Sequence, residues 1–299
     1  MVAFLENQVA LVTGGGRGLG RSVALELAAQ GAAVAIDDVY RDESGTGAAE
    51  SAVREIEEAG GTALALTEDV TTTEGAERMV GTTVDKFGRL DILVTCAGNN
   101  VRGPLQELTE QQWDSLMSLH LKGHFLSCKM ALPHMIEQDS GRIVTVSSRG
   151  AFFQVPASKQ DSKDLRKPPS TAYSAAKAGI LGLTTTLAVE LWETGITVNA
   201  LLPSASTQLF PETKARMVGG VPASQSLDPG DVAPAVAFLC SDAAADISGR
   251  IVYASGGDVI LYGNQLDLGG SRMIRKDGRW THDELAKLLP PLAGVAPGA

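Results

Sequence analysis

The chain has 299 residues, 44% of them hydrophobic, enough apolar material for one large α/β domain or two small ones. Its 25 basic and 35 acidic residues leave a formal charge of −10, which argues against nucleic acid as a partner because a basic stripe would be required. No apolar run reaches transmembrane length, and the start, Met1-Val2-Ala3-Phe4-Leu5-Glu6, lacks the basic region and long apolar run of a secretion signal.

Taken in chain order, residues 9–12 form a first apolar, strand-like run. Thr13-Gly14-Gly15-Gly16-Arg17-Gly18-Leu19-Gly20 follows, and then a helical pattern through Val23, Leu25, Leu27 and Ala28. Strand, glycine turn and helix together are the context of a dinucleotide-binding fingerprint. The glycines allow a tight turn and let a pyrophosphate approach the helix N-terminus, where free N–H groups favour an anion. No Gly-Lys-Ser/Thr follows, so the loop is not that of a nucleotide triphosphatase. Residues 34–36 read as the second strand, ending in Asp37 and Asp38. An acid about 20 residues past the glycines is expected to bond the adenosine ribose hydroxyls.

Further strand-like runs lie at residues 64–66, 92–94, 143–146, 196–202 and 251–253, with helical stretches between them. Seven strands in βα alternation predict one doubly wound parallel sheet with helices on both faces. One predicted helix, residues 113–130, carries His120 and His124 a turn apart. With no third ligand nearby, no metal site is expected. Cys96, Cys128 and Cys240 are odd in number and show no Cys-x-x-Cys, which suits reduced thiols and a cytoplasmic location. Two segments look like additions to the core. Residues 154–170 are polar and lysine-rich, ending in Pro168-Pro169-Ser170. The tail, residues 263–299, contains the capping-box pattern Thr281-His282-Asp283-Glu284, which predicts a short helix through Leu289.

Tyr173-Ser174-Ala175-Ala176-Lys177 sets a phenol and an ammonium four residues apart, stacked on one face of a helix with Cβ atoms about 5–6 Å apart. A phenol with a pKa near 10 is about one part in a thousand ionised at neutral pH. A neighbouring cation favours the phenolate and makes the tyrosine usable as an acid or base.

Thr-Gly-x-x-x-Gly-x-Gly with Tyr-x-x-x-Lys resembles the short-chain dehydrogenase/reductase family, over roughly residues 5–262. The resemblance implies a single Rossmann-fold domain over residues 1–262, a nicotinamide cofactor, and a C-terminal extension over residues 263–299. It implies a tetrad in which Tyr173 exchanges the proton of an alcohol or ketone, and Ser148 (with Ser147 still open) bonds the substrate oxygen. Lys177 lowers the tyrosine pKa and bonds the nicotinamide ribose. His120 stands where the family commonly has an asparagine that supports a water relay to the lysine. A histidine also bonds water and titrates near neutrality, so it is expected to serve that relay.

The implied cofactor contacts are Gly14, Arg17, Gly18, Leu19 and Gly20 for the phosphates, Asp38 for the ribose, and Asp69 with Val70 for the adenine. Thr95-Cys96-Ala97-Gly98 stands at the family's Asn-Asn-Ala-Gly, with both asparagines missing, and Cys96, Ala97 and Gly98 are expected near the cofactor. Pro203, Ser206 and Thr207 follow the sixth strand, and Thr207 is the candidate for the nicotinamide carboxamide. Asp38 favours NAD over NADP, because a 2′-phosphate about 4 Å from a carboxylate costs about 4 kcal/mol per charge at an effective dielectric near 20. Arg17 pulls the other way. Ser148 and Tyr173 stand 25 residues apart, more than in the family by about the length of the polar insertion, which is expected to border the substrate mouth.

The expected activity is NAD-dependent interconversion of a secondary alcohol and a ketone, with the (3R)-hydroxyacyl-CoA dehydrogenase branch suggested by His120 and the tail. An NADP-dependent ketoreductase for cyclic, steroid or polyketide-like ketones, and a non-catalytic nucleotide sensor or scaffold, are the alternatives. A homotetramer or homodimer is expected from the family and from the small residues of the Tyr173 helix.

Overall fold

A computed structural model describes residues 3–152, 170–209, 217–218, 221–222 and 226–262. Nearly all of them belong to one compact unit, Met1–Phe152 with Pro168–Leu261. The second unit, Phe153–Lys167 with Tyr262–Ala299, lies outside the described residues apart from Tyr262. The expected insertion loop and the tail helix therefore fall outside them as well.

The elements alternate as expected. The strands are β1 (Val9–Thr13), β2 (Ala33–Asp37), β3 (Thr62–Leu66), β4 (Ile92–Thr95), β5 (Gly141–Val146), β6 (Ile196–Pro203) and β9 (Ile251–Ser255), joined by helices. A two-residue pair, β7 (Met217–Val218) and β8 (Val221–Pro222), stands apart from the main sheet. The first three helices are α1 (Gly18–Ala29), α2 (Ala48–Glu58) and α3 (Thr73–Phe87). The main sheet runs β3-β2-β1-β4-β5-β6-β9 with β10 (Asp258–Tyr262) at its edge, so the winding reverses between β1 and β4. Ligands of such sheets bind outside the carboxyl ends of the strands at that switch point.

Strands β1, β4 and β5 are buried along their whole length, as continuous apolar runs in a doubly covered parallel sheet should be. One core layer packs α1, α2 and α7 (Ala233–Leu239) on one face through Val23, Leu27, Ala49, Ile56 and Val236. The other packs α3, α5 (Gly123–Glu137) and α6 (Thr171–Glu190) through Met79, Val80, Met135 and Leu187.

Two expectations are corrected. The sheet has eight strands, not seven: Gly256, at φ +51°, turns the chain into β10 (Asp258–Tyr262), which pairs with β9. A two-residue link admits only an antiparallel neighbour. Val259 and Leu261 point to solvent on this edge strand, so the run carries no second buried face to betray it. The single helix expected over residues 113–130 is interrupted: α4 (Glu110–Leu116) passes into a π-helical stretch, Met117–Lys122, before α5 begins. Such wide turns concentrate at functional sites, and this one contains His120.

Candidate active site

The nucleotide side is assembled from main chain. Gly14 has φ +63°, and a Cβ added there would stand 2.6 Å from Ala97 Cα, so the first glycine is required both by conformation and by the closeness of β4. Thr13 Oγ1 ties the two strand ends together by accepting the N–H groups of Cys96 at 3.1 Å and Ala97 at 3.2 Å. Gly18, Leu19 and Gly20 form the first turn of α1, with Leu19 and Gly20 buried.

The two aspartates at the end of β2 separate by their partners. Asp37 Oδ1 accepts the Glu68 N–H at 2.7 Å and braces β3. Asp38 faces the glycine loop: Oδ2 accepts the Gly16 N–H at 3.1 Å and Oδ1 the Tyr40 N–H at 3.0 Å. Burial, reinforced by the charges of Asp38, Glu68 and Asp69, pushes the Asp37 carboxyl up to about 7, against the pull of the Glu68 N–H.

An open cleft of about 650 Å³ brings Arg17 and Gly18 together with Ser206, Thr207 and Gln208 from the loop after β6. Pro203 ends β6, and the Ser206 N–H donates to the Leu227 carbonyl at 2.8 Å. Asp69 Oδ1 accepts the Thr71 N–H at 2.9 Å, an Asx turn beside the buried Val70.

The catalytic side is assembled from buried side chains. Ser170 caps α6, its Oγ accepting the Tyr173 N–H at 3.3 Å. The first two turns of this helix then carry Tyr173 and Lys177, 3% and 4% exposed, toward the end of β5. Ser148 hydrogen-bonds the Tyr173 phenol. Lys177 Nζ donates to the Val146 carbonyl at 2.7 Å and lies 5.8 Å from the Tyr173 ring centroid. The other serine, Ser147, donates its hydroxyl to the Lys177 carbonyl at 2.7 Å and is thereby occupied in holding α6. That assigns Ser148 as the serine facing the tyrosine.

The protonation states differ from those expected. Burial pushes Tyr173 up to about 12, with the Ser148 hydrogen bond opposing it, and burial lowers Lys177 to about 8. Within the chain by itself, desolvation outweighs any help from the lysine. His120 is lowered to about 3 by burial, then by the Lys177 cation, against its bond to Asn99. It is a neutral imidazole and does not titrate near neutrality. His124, also buried, is held well below the usual imidazole range, first by burial and then by the Lys177 cation.

The His120 ring meets Tyr173 edge to face at 5.1 Å between centroids. It also fills the space over Gly98, where an added Cβ would lie 2.6 Å from His120 Cε1. Its Nε2 makes a 2.8 Å contact with the Asn99 carbonyl. The same Nε2 also lies 3.2 Å from the Asn99 N–H, so it donates or accepts according to the tautomer, and Nδ1 has no partner among the described residues. Cys96 is half-buried, but its thiol is pushed up to about 12 by burial, which makes it an unreactive thiol at neutral pH.

Five of the seven buried side-chain polar atoms without a partner among the described residues cluster here: on Thr95, Asn99, Asn100, His120 and His124. An unsatisfied buried polar group costs about 1–3 kcal/mol, so their concentration marks a place made for a polar ligand or ordered water. With the glycine cradle, the residues present fit a nicotinamide dinucleotide. No group of three His, Cys, Asp or Glu that could hold a metal ion occurs among the described residues.

Three contributors escaped the sequence reading: Thr13, which joins β1 to β4; Ser147, which holds α6; and Tyr40, whose ring lies under the Arg17 guanidinium at 3.5 Å. Thr13 precedes the first glycine and was open to notice. The other two depend on tertiary neighbours.

A doubly wound sheet with a glycine cradle at its switch point and a Ser-Tyr-Lys cluster beside it defines a nicotinamide-dependent oxidoreductase. The short chain dehydrogenase family is matched over residues 8–216, and the chain belongs to that family. It is 34% identical over 87% of its length to a hydroxy(phenyl)methylsuccinyl-CoA dehydrogenase subunit, BbsD, of Thauera aromatica, 99% of which is covered. It is 37% identical over 83% of its length to the 3-oxoacyl-acyl-carrier-protein reductase FabG of Staphylococcus aureus, 96% of which is covered. Among solved structures, a short chain dehydrogenase from Mycobacterium avium superposes with a TM-score of 0.80 at 32% identity, covering 98% of this chain and 96% of that one.

Proposed function

We propose that the chain is an NAD-dependent oxidoreductase that interconverts a secondary alcohol and a ketone on an acyl thioester. The observation that carries the chemistry is the hydrogen bond of half-buried Ser148 to the buried Tyr173 phenol, with Lys177 one helical turn away. Tyr173 exchanges the proton of the reacting oxygen, Ser148 orients that oxygen and stabilises its developing charge, and Lys177 supplies positive charge beside the phenol. His120, neutral, leaves Nδ1 for a hydrogen bond to a bound group and packs the tyrosine in place. A bound nicotinamide dinucleotide supplies the hydride donor or acceptor. Gly14, Arg17, Gly18, Leu19 and Gly20 would hold its phosphates, and Asp38 its adenosine ribose. Asp69 and Val70 would flank the adenine, with Cys96, Ala97, Gly98, Pro203, Ser206 and Thr207 toward the nicotinamide.

The preference for NAD rests on Asp38, whose carboxylate faces the glycine loop through Gly16 with no cation bonded to it. The acyl thioester rests on the substrates named for BbsD and FabG. Arg17 in the same cleft is the specific observation on the side of an NADP-dependent ketoreductase. No helix among the described residues is long and apolar enough to cross a membrane, in keeping with a cytoplasmic enzyme. Exposed Trp113, Phe125, Val189 and Trp192 on and beside α4, α5 and α6, and Val259 and Leu261 on β10, favour a homotetramer or homodimer. The deciding experiment is NADH oxidation with acetoacetyl-CoA by the native chain and by Tyr173→Phe. Turnover lost in the variant is expected; no turnover by the native chain, with NADH bound, would remove the thioester reading.

A further inference from the structure

Two guanidinium groups line the cleft along the glycine loop, those of Arg17 and Arg21. Arg21 is ion-paired with Glu55. Among the described residues Arg17 has no carboxylate partner; its guanidinium lies 3.5 Å from the centroid of the Tyr40 ring. Residue 40 is held on both sides by main-chain bonds. Its N–H donates to Asp38 Oδ1 at 3.0 Å, and its carbonyl accepts the Ala48 N–H at the start of α2 at 2.9 Å. The other Asp38 oxygen takes the Gly16 N–H, next to Arg17 in sequence. Asp38 is thus the hub of a small assembly that sets the ring of residue 40 beneath the cation of residue 17.

A guanidinium recognises phosphate through its N–H edges and stacks on a planar ring through its face. Beside the acid that ends β2, a mobile arginine would present those edges to a 2′-phosphate and offset the repulsion from Asp38. Stacked on an anchored aromatic ring, the same cation is restrained. We propose that Tyr40 is a specificity-determining residue for the cofactor: it holds the Arg17 guanidinium on its ring and so leaves the Asp38 carboxylate to select against a 2′-phosphate. The inference rests on the NAD reading and assigns to residue 40 the restraint that stops Arg17 from opposing it. Neither element of the pair is informative alone, since Arg17 by itself argues for NADP and an exposed tyrosine two residues past an aspartate argues for nothing.

The test is a binding titration and needs no substrate. Dissociation constants of NADH and NADPH are measured by nucleotide fluorescence on the full chain as wild type, Tyr40→Ala, Tyr40→Phe, Arg17→Gln and the Tyr40→Ala/Arg17→Gln double variant. Tyr40→Ala should shift the ratio of the two constants toward NADPH by about two- to fivefold, the size of an exposed cation–π contact. Tyr40→Phe, which keeps the ring face, should leave the ratio as in wild type. In the Arg17→Gln background the tyrosine substitution should have no further effect. An unchanged ratio in Tyr40→Ala, or the same shift without Arg17, would overturn the assignment. Wild-type preference for NADPH would remove the NAD reading and leave the effect of residue 40 to be judged by the shift. Failure of both nucleotides to bind would sink both.

Discussion

The two sides of the sheet's switch point solve different problems with different materials. Around β1, β2 and the glycine loop, the contacts are main-chain N–H groups, absent side chains and two aspartates. Around β5 and α6 they are buried side chains whose protonation is displaced by the same burial that positions them. Main-chain recognition tolerates little change of shape but is indifferent to pH. The catalytic side depends on charge states that desolvation opposes, with Tyr173 pushed up to about 12 and Lys177 lowered to about 8. On this reading the nucleotide side depends on backbone shape, whereas the proposed acid–base group, Tyr173, is held protonated by its burial.

The contrast is broken most severely by Tyr173→Phe. The turnover number should fall by about 10²- to 10⁴-fold, the usual contribution of a positioned acid or base, while the dissociation constant for NADH stays within about twofold. Steady-state kinetics and fluorescence titration on one preparation decide it; parallel loss of both would merge the two sides.

Asp37 is the exception on the nucleotide side, a buried carboxyl whose titration is visible in stability. Its folded value of about 7 lies above the ordinary carboxylate value of 3.8, so the folded state binds more protons across that window. Stability therefore declines as pH rises from about 4 to about 7 and stays lowered above it. Asp37→Asn, whose amide oxygen can still accept the Glu68 N–H, should be more stable than wild type at pH 8 by on the order of 4 kcal/mol at most. At pH 4 it should show little difference. Urea unfolding at the two pH values measures this, and an equal effect at both would remove the buried-proton account.

Gly14→Ala should cost about 1–3 kcal/mol and abolish NADH binding, because the new methyl would enter the Ala97 main chain. It should leave the pH dependence of stability as in wild type. Calorimetry with and without NADH checks it; retained binding would show that the cradle adapts.

The smallest effect concerns His120. With the imidazole lowered to about 3, the rate profile between pH 5 and 9 should contain no inflection from this residue. His120→Asn should change the rate by less than about tenfold without altering the shape of the profile. A limb near pH 6.5 that vanishes in the variant would restore a titrating histidine to the relay.

Much of the fold was legible because parallel strands covered on both faces leave continuous apolar runs, and the glycine loop lies within one strand–turn–helix segment. β10 was not, since Val259 and Leu261 of this edge strand point to solvent and its residues are nowhere fully buried, unlike the central strands. The wide turn at Met117–Lys122 was not either: local periodicity predicts a regular helix, and only the fit of the His120 ring over Gly98 distinguishes the π-helical path. Among the site residues, spacing could propose Tyr173 and Lys177 but left Ser147 and Ser148, and Asp37 and Asp38, as pairs. Hydrogen bonds to the Lys177 carbonyl and to the Gly16 and Glu68 N–H groups separate their members.

The sequence by itself determined the family, the order of strands and helices, and the residue types able to carry hydride-transfer chemistry, because these follow from local pattern and fixed spacing. Only the tertiary structure decided which serine faces the tyrosine, which aspartate faces the glycine loop, where the Arg17 cation rests and which groups carry protons. Those properties depend on desolvation and on neighbours far away in the chain, 83 residues in the case of the Thr13–Cys96 bond, and no local window contains them.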